Sequence, residues 1–256
     1  MAPEVSSLYG LRHKFTLHNK KGTWLIYKDE YKDEISSQLD HQAKADIIKQ
    51  VDKNFQDQQI LNSSIPESTQ SLWSYNNTRA VSYADSYALT TNSYYGRYSS
   101  DCANFVSQAM YSGMGYNPPY STEGMGTYGD DGQWYFDFVS KTGSSPWVAV
   151  PQQYSFLTGN TGFNGPAGSG STSVCGKQPG DVVQLFNVLG DNIWDHEGMI
   201  VTYNGGTCST LSNYTVDAHT TDRKHYALSN WASFSMRFIH ITGYYYNPHF
   251  ATPESK

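Results

Sequence analysis

The sequence predicts an α+β fold, with helices opening the main domain and a mostly antiparallel, partly barrel-like sheet closing it. Three observations carry that expectation. Before residue 113 apolar residues recur at helical spacing, after residue 178 short alternating runs alternate with turn residues, and 256 residues can bury a sizeable core without covalent staples. Charged residues are sparse, whereas Tyr, Trp, Asn, Ser and Gly are abundant, a mixture suited to strands, loops and surfaces that stack on sugars or peptides. A formal charge of −6 without a basic block argues against an electrostatic nucleic-acid binder, and against an anionic membrane surface. No stretch approaches the roughly 20 apolar residues of a membrane span.

Along the chain, His13-Lys14-Phe15-Thr16-Leu17-His18 alternates polar and apolar residues. Asn19 to Gly22 supplies a turn and Trp24-Leu25-Ile26-Tyr27 resumes, which predicts a β-hairpin. From Ile35, an apolar row at Leu39, Ala43, Ile47, Val51 and Phe55 predicts an amphipathic helix to about residue 58. The polar, proline-marked stretch from Asn62 to Ser68 reads as a linker. The expected division is therefore an appendage over residues 1–68 and a main domain over 69–256. A helix capped by Asn76 or Asn77 carries Ala80, Val81, Ala84, Tyr87 and Ala88 on one face. The next opens near Ser100 or Asp101, buries Phe105, Val106, Ala109 and Met110, and ends at Gly113, suited to a left-handed C-terminal position. Gly-rich loops follow at 114–130 and 158–176, expected at the surface as rims or lids. Strands are then expected from Val182 to Phe186, His196 to Tyr203, Thr215 to His219, Phe234 to Ile241 and Gly243 to Tyr246.

Cys102 falls in the first turn of the second of these helices, where unpaired amides and the macrodipole stabilise a thiolate. A neighbouring imidazole would take the thiol proton and later deliver it to a leaving amine. His196 begins a strand from which it can project toward a helix terminus. His219 lies on the next strand, placed to fix the first imidazole, and Asp217 shares its face as a substitute third member. The alternative, a metal held by Asp195, His196, Glu197 and His219, matches no zinc spacing, and no metal or organic cofactor is expected. Cys175 and Cys208 are left as a disulfide or two free thiols; if they pair, Cys102 is the free one.

Asp101-Cys102-Ala103-Asn104-Phe105-Val106-Ser107-Gln108, Gly180-Asp181-Val182-Val183, Asp195-His196-Glu197-Gly198-Met199-Ile200-Val201 and His219-Thr220-Thr221-Asp222-Arg223 together resemble the putative amidase domain family of bacteria. The likeness runs from about Tyr75 to Tyr246 and includes Trp134, Trp147 and Trp231. That family resembles the papain-like cysteine peptidases, including NlpC-like and CHAP-type cell-wall hydrolases. The resemblance implies a papain-like fold, Cys102 as nucleophile, His196 as general base and then acid, and His219 as orienting residue. It also implies an oxyanion hole that includes the Cys102 amide, with Asn92 or Tyr95 as further donor. Two positions depart from the pattern: Ala103 replaces a common Thr, and Glu197 replaces an apolar residue after the histidine.

The expected activity is hydrolysis of an amide bond through a thioester, with peptide stems of bacterial peptidoglycan as substrate. A catalytically silent cell-wall or glycan-binding module and an acyltransferase using the same Cys-His pair are the alternatives. Met1 to Val5 lack the basic and apolar regions of a signal peptide. Residues 13 to 34 read as the end of an element that begins upstream, so a protein of the cell envelope or exterior whose leader precedes this sequence is expected. No nucleic acid, no membrane insertion and a monomer complete the expectation.

Overall fold

The computed structural model describes residues 7–8, 11–20, 23–32, 71–116, 125–127 and 129–246. The chain divides into two units, residues 1–67 and 68–256. In the first, β1 (Ser7–Leu8), β2 (Leu11–Lys20) and β3 (Thr23–Lys32) form an antiparallel sheet in that order, with Lys20 opposite Thr23. The helix expected from Ile35 and the linker at 62–68 lie outside the described residues.

The second unit opens with β4 (Leu72–Trp73), α1 (Asn77–Tyr87) and α2 (Cys102–Gly113). The small β5 (Phe136–Asp137), β6 (Thr142–Gly143), α3 (Ser145–Val148) and α4 (Val150–Gly159) follow. The remaining strands are β7 (Gly165–Ser171), β8 (Val182–Phe186), β9 (Trp194–Tyr203), β10 (Tyr214–Ala218), β11 (Arg223–Ala227) and β12 (Met236–Tyr245). Their order is β11-β10-β9-β8-β12-β4, with β7 also on β12, and every ladder is antiparallel. The class is α+β as expected, but the sheet is open: β11 ends one side without returning to β12. The partly barrel-like closure is therefore corrected. β12 pairs with β8 through Met236 to Ile239 and with β7 through Phe238 to Tyr245, and among the described strands no ladder links β7 or β4 to β11, so the sheet has no strand on which to close.

Alternation along the strands separates two apolar layers. Val182, Met199, Val201 and Ile239 face Phe105, Val106, Ala109 and Met110 of α2, whereas Val183, Leu185, Ile200, Val216 and Phe238 pack with Leu228 and Trp231 on the far face. Burial of each such side chain contributes about 1.5–3 kcal/mol, which fixes register because a one-residue slip would exchange the layers. Every residue of α2 is buried, so its polar side chains need internal partners. Asn104 accepts from Trp147 Nε1, Ser107 donates to Trp147 O and accepts from Trp134 Nε1, and Gln108 accepts from Tyr83.

The caps are specific. Asn76 caps α1 by accepting from the Arg79 amide at 3.0 Å. Gly113 ends α2, but the left-handed residue is Gly115, two positions on (φ 103°). Gly113 is needed instead for closeness: a β-carbon there would enter the Tyr75 ring. Cys175 and Cys208 form a disulfide across Cα atoms 4.9 Å apart, which leaves Cys102 free.

Candidate active site

Asp101 is the N-cap residue of α2, yet its side chain makes no capping bond to the helix amides. Its carboxylate is spent elsewhere: Oδ1 accepts from the Tyr98 amide and from Asn104, and Oδ2 meets His219 Nδ1 at 2.6 Å. The first-turn amides are thereby left for Cys102. The thiol lies along the edge of β9, donating to Asp195 O at 3.9 Å. Hydrogen bonds from the Glu197 amide, the Ala103 amide and the Thr220 hydroxyl all favour its anion. Thr220 also accepts from the Asp101 amide at 2.9 Å, from a backbone held at φ 81°, unusual for a β-branched residue.

Burial opposes these donors. Cys102 is 3% exposed, and burial, followed by the charge of Glu197, pushes its thiol up to about 12. Glu197 is itself fully buried. Burial lifts its carboxyl to about 8 against the contrary pull of Gln184, Arg237 and Gln153. Gln184 Nε2 donates to Glu197 Oε2 at 2.5 Å and Arg237 Nε donates to Gln184 Oε1 at 2.7 Å. Arg237 lies between the rings of Tyr154 and Trp194, at 3.6 and 4.3 Å, and Trp194 packs on the small cluster of Cys102, Ala103 and Val150.

Strand direction decides where the expected base points. Gln184 pairs with Glu197 and Leu185 with His196, so Glu197 faces the helices and His196 the far layer. An irregularity before Phe186 returns Trp194 to the helix side. The His196 ring stands edge-on to Trp231 at 5.3 Å, and burial holds it below the ordinary imidazole value. The residues whose backbone touches Cys102 Sγ flank His196, but no hydrogen bond joins the two side chains in this conformation.

His219 does not orient His196. It is 2% exposed, Nδ1 faces Asp101, Nε2 meets Tyr87 O at 2.8 Å, and Phe105 stacks on its ring at 4.2 Å. A carbonyl only accepts, so Nε2 carries a hydrogen and both ring nitrogens are occupied. Asp217 shares the helix-side face, yet it accepts from the His225 amide at 2.6 Å instead of serving His219. Asn92 and Tyr95 are corrected as oxyanion donors. The Asn92 amide donates to Tyr83 OH at 3.1 Å, and Tyr95 is 2% exposed among Tyr83, Phe136, Phe138 and Trp147 in the helix-side core, so neither side chain reaches Cys102 by a hydrogen bond. Glu197, the departure from the family pattern after the histidine, bears on the thiol through its charge. Asp101 and Thr220 were not legible as site residues. They adjoin Cys102 and His219 in sequence, but nothing in their spacing says that they meet each other.

A family model described as putative amidase domain matches residues 74–241, from just before α1 into β12. Neither the comparison with curated proteins nor that with solved structures gave a match.

Proposed function

Since the chain belongs to the putative amidase domain family, we propose that it cleaves amide bonds through Cys102, with His196 as the base. The observation that carries this reading is the set of donors around the sulfur at the start of α2: two amides and a hydroxyl, placed to receive an anion. With the thiol raised and His196 lowered, both groups are neutral before substrate binds. His196 then takes the Sγ proton as sulfur attacks the carbonyl carbon. The imidazolium returns that proton to the leaving amine, and water hydrolyses the thioester. This requires the imidazole to turn from Trp231 toward the sulfur and the cover that includes Trp194 to open.

Peptide stems of peptidoglycan are the proposed substrate, reached outside the cytoplasm; the Cys175–Cys208 disulfide supports that compartment. A papain-like lineage is part of the same proposal and rests on the order of the cysteine and histidine motifs. Burial of the thiol favours a second reading, a catalytically silent wall-binding module. Digestion of purified peptidoglycan, with products identified by mass, separates the two. The hydrolase reading expects released peptides from the wild type and a loss of at least about 100-fold for Cys102→Ala and His196→Ala with the fold retained. Binding without any product, or undiminished activity in Cys102→Ala, refutes it.

A further inference from the structure

Away from the thiol, α1, β10 and β11 bring together Asp85, Asp217 and His225. One donor atom from each lies within 4.8 Å of the other two. His225 Nε2 and Asp85 Oδ1 are 2.5 Å apart, and the His225 amide donates to Asp217 Oδ1 at 2.6 Å. Asp217 is 0% exposed, and its second oxygen, Oδ2, is buried without a hydrogen-bond partner. Lys224 reaches Asp85, but its ammonium is spent on the carbonyl, 2.8 Å away. A buried carboxylate oxygen left bare beside a second carboxyl calls for a positive charge.

We infer that Asp85, Asp217 and His225 bind a divalent transition-metal ion, for which zinc is the fitting cation. Two carboxylates and a neutral imidazole balance a dication and leave a fourth position to water, the donor set zinc takes. Calcium and magnesium prefer oxygen alone, so the imidazole disfavours them. Donors about 2.1 Å from a shared zinc stand roughly 3.4 Å apart, so His225 and Asp85 separate by roughly 1 Å on binding. Their side chains, 47% and 34% exposed, are free to do so and give the ion its entry path. The bound ion staples α1 to the β10–β11 hairpin, whose turn carries His219 and Thr220. The alternative occupant is a proton shared within the cluster.

The test uses the full chain stripped with a chelator and titrated with zinc near pH 7 by calorimetry, with thermal melting alongside. One zinc per chain and a raised melting midpoint are expected, with no comparable shift from calcium or magnesium. Asp85→Asn, at a half-buried position, and His225→Gln, at an exposed one, should each lower zinc affinity by about tenfold or more while circular dichroism stays unchanged. No saturable zinc binding, which is the proton's outcome, overturns the inference. So does unchanged affinity in either variant, which would put the zinc on other histidines or on Cys102.

Discussion

Burial does most to hold the Cys102 proton in place, and the charge of Glu197 adds to it. Glu197→Gln keeps the shape and the bond to Gln184 while removing that charge. The thiol should titrate lower in the variant, read as faster iodoacetamide modification of Cys102 above about pH 8, with little change at pH 6 where Glu197 is already protonated. The same carboxyl makes stability depend on pH. Its value is about 8 folded against an ordinary 4.5, so the folded state holds the proton longer than the unfolded chain. The resulting stabilisation is full below about pH 4.5 and is lost as pH rises through 8. Urea titrations should show the wild type losing a few kcal/mol more than Glu197→Gln across that range. A parallel pH dependence in the two proteins would remove Glu197 from this role. The sequence placed Glu197 beside the histidine; only strand alternation turned its side chain toward the sulfur.

At the scale of elements, the Asp101–His219 pair ties the start of α2 to the β10–β11 turn and to the end of α1 through Tyr87 O. Both partners are almost wholly buried, so removing one leaves an uncompensated polar group. Asp101→Asn should cost about 3–5 kcal/mol of stability in urea denaturation at pH 7. A double-mutant cycle with His219→Gln should recover most of that as coupling. Additive losses would show that the two residues act separately. The helices themselves were legible from apolar spacing, and the start of α2 from a short polar residue before an apolar run. The partner of Asp101 was not, because a contact spanning 118 residues leaves no trace in local pattern.

Across the whole main unit, the Cys175–Cys208 bond joins the segment before β8 to the segment after β9. It closes a loop with a sequence separation of 33, for which chain entropy predicts about 3–4 kcal/mol. Replacing both cysteines with serine should lower stability by that amount in guanidinium titrations, with the iodoacetamide reactivity of Cys102 unchanged. A loss below about 1 kcal/mol would mean the fold already holds these loops together. Three cysteines cannot all pair with one another, yet which one is left over depended on proximity.

What the sequence by itself determined is local and periodic. It set the α+β class, the helix that begins at Cys102, the antiparallel strands and the identities of the chemically able residues, because apolar spacing and turn chemistry act over a few neighbours. The tertiary structure alone decided which of those residues meet. Register sent His196 to the far layer and Glu197 to the sulfur, burial rather than the helix terminus came to dominate the thiol, and the sheet stayed open because no described strand joins β11 to β7 or β4. His219, Asp217 and Asp101 found partners that no spacing announces, since such contacts depend on where distant elements pack and on which buried polar groups must be satisfied.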